Sequence, residues 1–418
     1  MIGFSQAQEL VRSQCPPLGA EMTTVAEAMD RVLARDLTSP VDLPPFDNSA
    51  MDGFALSCLG SRIEVGMEFE VGGEQAAGDG LAQADGERAW EIMTGARLPH
   101  GLDSVVPVEQ VDILLREPDG RPERIKLIAP VPPGQHVRRA GEDIARGELA
   151  LAGGMRVQAA HVMLLAGLGV AEVAVVRRPE VALLCTGREL VDQAAQALQP
   201  GQIRNSNGPF LAARVRAAGA LLVSRQTVPD DPAAFEAALG AALEANAGIV
   251  VSTGAVSMGR YDFVPSTLQA LGAEILFHKV AMRPGKPLLF ARLAGGQLYF
   301  GLPGNPVSSA VGFRFFVETA LREQLGLPVE KPWRVPLAHE ARTRPGVRLL
   351  QKAALRLSTG GQLQVSLLPG QESFKTLPLL AANAWASLPE GDSVLPAGTS
   401  VDVFTPGHET SGLLGEQS

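Results

Sequence analysis

The sequence predicts an α/β multidomain protein in which a doubly wound α/β/α domain stands beside β-rich modules. Three observations carry that prediction. At 418 residues the chain is too long for one ordinary core. Between residues 180 and 325, apolar strand-like runs alternate with helical ones, which implies parallel pairing through right-handed crossovers. On either side of that region the text is short-stranded and rich in glycine and proline, with 45 and 31 of them in the chain.

Taken in order, residues 5–14 and 23–35 read as two short helices, the second with Thr24 as its cap and Glu27 at capping-box spacing. The proline-rich SPVDLPPFDNSAMDG breaks the helical pattern, and residues 54–137 read as strands and turns. AAHVMLLAGLG is an apolar helix ending on glycine. Then come strand VALLCTG, helix GPFLAARVRAAG, strand ALLVSRQTV, helix DPAAFEAALGAALEANA, strand GIVVSTG and helix FVPSTLQALG. QLYFGLPGNP leads into a last helix, SSAVGFRFFVETALREQL. The expected blocks are a discontinuous N-terminal mixed domain (1–44 and 138–178) and a β-rich insertion (45–137). An α/β domain (179–327), a small C-terminal β domain (328–406) and a loose tail (407–418) complete the chain.

Composition narrows the function classes. With 36 basic against 45 acidic residues the net charge is −9, so no broad basic face is expected and no nucleic acid is predicted as a partner. No uninterrupted apolar stretch reaches the ~18 residues of a membrane span. The opening MIGFSQAQELVRSQ lacks the pattern of a secretory signal, and a cytoplasmic location is expected. Cys15, Cys58 and Cys185 lie far apart with no CxxC, and read as reduced thiols.

In a doubly wound domain, ligands sit beyond the carboxyl ends of the strands. The loops after residues 186, 228, 253 and 302 are therefore expected to line one crevice. The third loop, STGAVSMGRYD, is neither a P-loop, since Arg260 and Tyr261 stand where lysine and a hydroxyl are needed, nor a G-x-G-x-x-G. Its small residues still suit an anion held by backbone N–H groups. In LPGNPVSS, Asn305 is a good N-cap, Pro306 a good first helical residue, and Ser308 adds a hydroxyl beside the exposed N–H groups of 307 and 308. In MRPGKPLLF, prolines on both sides stiffen the turn that carries Lys286, which favours an anion contact. His278 reads as a packing or turn residue. Glu189, Asp230 and Asp262 at one rim suit magnesium, which takes one or two carboxylates plus phosphate and water. Capping explains at least one of Asp230 and Asp231, and Asp262 could likewise cap its helix. PPFDNSAMDGFA reads either as a double turn or as a loop offering Asp47, Asp52 and Ser49 to a neighbouring domain. Spacing alone stops at phosphate-ester or oxyanion chemistry with magnesium.

Together these segments resemble the MoeA family of molybdopterin molybdenumtransferases. The resemblance rests on PPFDNSAMDGFA, IMTGARLP, RRAGEDIARGE, CTGREL, GQIRNSN, STGAVSMGRYDF, HKVAMRPGKPLLF and FGLPGNPVSS, in family order along nearly the whole chain. It implies that the doubly wound domain binds molybdopterin, and that the protein inserts molybdenum from molybdate into adenylylated molybdopterin and releases AMP with Mg2+ assisting. It also implies a homodimer with sites built across the interface. Further partners on this reading are the molybdopterin adenylyltransferase and molybdoenzyme maturation proteins. Carried over by position, Asp52, Glu189, Asp230 and Asp262 are catalytic, the last three holding the metal. Thr94, Arg138, Asp143, Ser257, Lys279, Arg283, Lys286 and Ser308 match substrate-contacting positions.

The chain departs from the family pattern at Arg188 (usually acidic), Ala255 (usually glycine), Arg283 (usually lysine) and Lys352 (often arginine). The loop GQESFKT, with Ser373 as a counterpart, matches poorly. Two other readings remain at this stage. One is a carrier that binds molybdopterin without transferring metal, and the other is the adenylyltransferase that makes the substrate. Tungstate, of nearly the same size and charge, fits as well as molybdate.

Overall fold

The computed structural model describes residues 1–256 and 263–407. Two compact units divide the chain. One comprises Met1–Glu21, Asp30–Ala34 and Ala174–Ser418, the other Met22–Met29 and Arg35–Val173.

The first unit is built on a six-stranded sheet. Its strands are β1 (Glu180–Thr186), β2 (Leu221–Val228), β3 (Ile249–Thr253), β4 (Glu274–His278), β5 (Leu289–Arg292) and β6 (Leu298–Leu302). They lie in the order β2-β1-β3-β6-β5-β4. The first four of that order run parallel, as expected from the strand–helix alternation. β5, which the sequence pattern did not single out, runs antiparallel to both of its neighbours. The segments between β4, β5 and β6 hold no crossover helix, so the chain can only turn back on itself there.

Side-chain alternation makes the sheet two-faced. Val181 and Leu183 of β1 enter one core, Ala182 and Leu184 the other. Helix α1 (Phe4–Ser13), α2 (Asn207–Ala217) and the long helical run from Pro306 to Gln324 cover the first face. Helices α3 (Pro232–Glu244) and α4 (Val264–Ala270) cover the second. In α1 the buried Phe4, Ala7 and Val11 fall on one stripe, and Phe4 meets Phe315 and Phe316 edge-on at 5.9 and 5.5 Å.

After Glu330 the same unit continues as a smaller β structure with its own core. It contains β7 (Trp333–Pro336), β8 (Arg348–Leu357), β9 (Leu363–Leu367), β10 (Ala384–Leu388) and β11 (Ser400–Phe404), ordered β8-β10-β11-β7 with β9 on the free side of β8. The start of β8 also takes a parallel strand of two residues, Met282–Arg283. That short pairing fastens the RPGKP turn to the C-terminal sheet.

The second unit joins the strand-rich stretch that the sequence indicated over 54–137 to residues on both sides of it. Its main sheet orders strands 104–107, 53–56, 89–92, 68–75, 122–127 and 111–116. Helix Ala159–Gly167 forms where AAHVMLLAGLG predicted it. Gly53 is obligatory here, because a Cβ would lie 1.9 Å from the Val106 carbonyl oxygen.

The helix expected over 23–35 does not form. Ala20–Thr24 is a strand and Val25–Glu27 a single 3-10 turn, and the Thr24 hydroxyl bonds the Glu27 carboxylate instead of capping backbone. Asp30 in the left-handed region (φ 62) ends any helical continuation, and Leu33 bridges to Val175 as extended chain. Residues 408–418, most of the expected tail, fall outside the described residues. All three cysteines are buried and free, and burial pushes the Cys15 thiol up to about 12.

Candidate active site

At the carboxyl edge of the sheet, the chain leaves β1 toward β2 on one side and later returns as β3 on the other. The loops after β1 and β3 therefore diverge at this switch point and open a crevice. Gly254, with φ 90, makes the approach possible, since a Cβ there would lie 2.6 Å from the Thr186 carbonyl oxygen. The Thr186 hydroxyl donates to the Thr253 carbonyl (3.0 Å), the Gly187 N–H to Val228 (3.1 Å) and the Gly254 N–H to Leu302 (3.0 Å). All four predicted loops thus meet at one rim.

The acids separate by task. Asp231 is the cap of α3, its carboxylate accepting from the Ala234 N–H at 2.8 Å. Asp230 has no capping role. It is exposed on the rim and accepts from the Arg188 N–H at 3.3 Å. Glu189 stands half-buried in the neighbouring loop, close to Gly187. Among the described residues no cluster of three metal-type side chains forms. Asp230 and Glu189 are the carboxylates of this rim that cap no helix. Ser257 and Asp262 lie outside the described residues. Ala255 sits at φ 50, a conformation that costs an L residue roughly 1 kcal/mol.

The second half of the site is cationic. Lys279, Arg283 and Lys286 share one tight connection between β4 and β5. Val280 donates its N–H to the Lys286 carbonyl (2.9 Å), and Lys279 to that of Leu288 (2.8 Å). Lys279 has φ 78, while Arg283 and Lys286 are exposed. A Cβ on Gly285 would lie 3.4 Å from the Ser308 carbonyl oxygen, so this turn abuts the helix start that carries buried Ser308. His278, the last residue of β4, bonds the Val256 carbonyl through its ring Nε2 at 2.7 Å and so ties the strand end to the loop after β3, a packing role.

Two details of that helix start correct the sequence reading. Asn305 occupies the N-cap position, but its side chain makes no capping bond. The Val307 N–H is not left exposed, because the Ser373 carbonyl of the C-terminal β structure takes it at 2.9 Å. GQIRNSN holds residues whose contribution the sequence reading did not assign. The Asn205 amide donates to Asp192 and Thr227 and accepts the Gly208 N–H, while Asn207 donates to the Gly304 carbonyl at 2.7 Å. An asparagine just before a helix was the available signal.

Asp52, Thr94, Arg138 and Asp143 belong to the second unit. Asp52 accepts from both the Thr94 N–H (2.6 Å) and hydroxyl (2.8 Å), and these bonds hold its carboxyl below the usual range. Arg138 pairs opposite Asn48 in a two-stranded ladder. Asp143, exposed, is tied through its N–H to Leu43. Asp47 serves structure, accepting from Arg139 and the Ala140 N–H.

Comparison with known proteins identifies the family. Residues 2–169 match the MoeA N-terminal region (domain I and II), 182–323 the family described as "probable molybdopterin binding domain", and 334–405 the MoeA C-terminal region (domain IV). A molybdopterin molybdenumtransferase of Synechococcus elongatus is 39% identical over 96% of this chain and 99% of its own length. Molybdopterin molybdenumtransferase 2 of Mycobacterium tuberculosis is 35% identical, covering 95% of this chain and 96% of its own. The crystal structure of a molybdopterin biosynthesis MoeA protein from Pyrococcus horikosii superposes with a TM-score of 0.80 at 27% identity, over 97% of this chain and 99% of that one. With relatives this similar along their whole length, and a crevice formed by the loops its sequence singles out, the chain belongs to the MoeA family of molybdopterin molybdenumtransferases.

Proposed function

We propose that this transferase takes adenylylated molybdopterin and molybdate, joins molybdenum to the dithiolene sulfurs, and releases AMP with Mg2+ assisting. The observation that carries the reading is the division of the rim into an acidic part and a cationic part. Asp230 and Glu189 stand where a metal could bridge to phosphate. Lys286, Arg283 and Lys279 crowd one stiff turn beside Ser308, where an oxyanion could bind. Magnesium, when bound, would neutralise phosphate charge during loss of AMP. Glu189 and Asp230, with Asp262, would hold it, while Ser257 and the backbone of the Gly254 turn would face the phosphate.

The test is AMP release from adenylylated molybdopterin with and without molybdate. Release that depends on molybdate supports the reading. Release that ignores molybdate would make the chain a simple hydrolase, and no release at all a carrier.

Lys286→Gln should raise the molybdate concentration needed for half-maximal insertion by about three- to tenfold. Excess molybdate should restore the rate, and binding of the adenylylated pterin should change less. Collapse of pterin affinity with an unaltered molybdate requirement would instead assign Lys286 to the phosphate.

The proposed assembly is a homodimer in which Asp52 and Thr94 of one chain face the crevice of the other. Its support is an exposed carboxylate already oriented by two hydrogen bonds, which also hold its pKa below the usual range. Mixing Asp52→Ala and Asp230→Ala chains should restore activity through hybrid dimers that hold one intact site. Absence of recovery after verified subunit exchange would place both residues in one chain's site.

A further inference from the structure

Arg188 stands on the rim of the crevice with its charge uncommitted. It is the second residue of a tight turn, Gly187 to Leu190, which closes where the Leu190 N–H donates to the Gly187 carbonyl (3.1 Å). The turn is pinned on three sides. Gly187 donates its N–H to the Val228 carbonyl (3.1 Å), Ile203 donates to the Glu189 carbonyl (2.8 Å), and the Arg188 N–H reaches the Asp230 carboxylate (3.3 Å). The main chain beneath Arg188 is therefore fixed, while its side chain is exposed.

Two carboxylates flank that side chain. Glu189 follows it in the chain, with both carboxylate oxygens 2.9 Å from where a Cβ on Gly187 would lie, and Asp230 takes its backbone N–H. The guanidinium nevertheless pairs with neither, nor with any other acid among the described residues. Arginines that serve the fold of this unit spend their side chains on carboxylates, as Arg214 does on Glu318 and Arg314 on Glu330. Arg188 serves it only through its backbone. Its five N–H donors lie in a planar fork that matches two phosphate oxygens at once. The flanking carboxylates would repel a phosphate on this rim, and a cation beside them removes that repulsion.

We propose that Arg188 contacts the phosphate of the adenylyl group, as a fixed cation sharing this rim with a metal on Glu189 and Asp230. The proposal rests on the reading of the crevice as the site for adenylylated molybdopterin. The charge that draws phosphate also works against a divalent cation on the neighbouring carboxylates. Arg188 therefore favours one ligand and disfavours the other, a signature that a merely structural residue would not give.

Arg188→Gln removes the charge and keeps the backbone N–H on Asp230, so the turn has no reason to open. In the full-length protein, calorimetric titration with AMP in excess chelator should show about tenfold weaker binding. Adenosine, which lacks the phosphate, should bind as before, and saturating Mg2+ should shrink the AMP difference to less than about threefold. Mn2+ titrated without AMP and followed by EPR should bind about threefold more tightly to the variant. Arg188→Lys should recover only part of the AMP affinity, since a point charge lacks the fork. Arg216→Gln, the same charge change on the exposed last turn of α2 at the opposite edge of the sheet, should alter neither ligand.

Weaker binding of both AMP and Mn2+ would make Arg188 a support of the loop and overturns the proposal. Equal losses for AMP and adenosine overturn it too, by moving the contact to the nucleoside. Weaker AMP binding with unaltered Mn2+ affinity refutes the shared rim. If the unaltered protein binds AMP neither with nor without Mg2+, the adenylate reading of the crevice fails and the proposal with it. If it binds AMP and Arg188→Gln binds equally well, only the assignment of Arg188 fails.

Discussion

Replacing Asp230 by asparagine should slow AMP release on the order of a hundredfold while leaving the unfolding midpoint nearly unchanged. The pair Asp230–Asp231 supplies its own control. Asp231 accepts the Ala234 N–H and caps α3, so Asp231→Ala should cost about 1 kcal/mol of stability with most turnover retained. Asp230, one residue earlier, points its carboxylate at the Arg188 N–H across the rim, where asparagine keeps the acceptor oxygen but loses the charge. Turnover and urea unfolding measured on both variants separate a metal ligand from a turn residue. A destabilised but active Asp230→Asn enzyme would remove Asp230 from the proposed metal site.

The largest stability effect is expected at Arg314, which does not take part in the chemistry. Its side chain is 4% exposed within the π-helical turn Phe313–Val317, and it donates to both oxygens of Glu330 (2.9 and 2.6 Å) and to the Thr405 carbonyl (3.0 Å). Glu318, fully buried, lies 3.6 Å away and also pairs with Arg214 of α2. The guanidinium further rests against the rings of Phe315 and Phe404, at 5.3 and 5.8 Å. Arg314→Met should therefore lose about 3–5 kcal/mol, because it leaves buried Glu318 and half-buried Glu330 without their shared cation. Most of the loss should return in the double variant Arg314→Met/Glu330→Met, since exchanging an ion pair for apolar side chains costs far less than breaking it. A single variant within about 1 kcal/mol of the parent would show the cluster to be solvated in solution.

Much of the α/β unit could be read from periodicity. The parallel strands β1, β2, β3 and β6 and the helices between them each carry enough local signal, in apolar runs, caps and terminal glycines, to be placed without knowledge of their neighbours. The predicted convergence of four loops follows from that topology, and Gly254 against Thr186 is its local expression. Reading failed where the pattern was ambiguous. Val25, Ala28 and Val32 fall at helical spacing, yet the backbone leaves the helical region at Asp30. β4 and β5 are short strands of a returning hairpin, whose direction no side-chain pattern encodes.

The site divides along the same line. Glu189, Asp230, Lys286 and Ser308 announce themselves through residue type beside small-residue loops or prolines. By itself the sequence determined the family, the doubly wound core and the set of polar loops, because each depends on contiguous residues whose periodicity or spacing is visible in one stretch. Only the tertiary structure decided which of two adjacent aspartates caps α3, that the Val307 N–H is already taken by Ser373, and that Lys352 faces inward to carbonyls some twenty positions away. Those outcomes turn on the pairing of particular donors with particular acceptors. Donors and acceptors distant in sequence are assigned to each other only when packing has set their distances and excluded water from between them.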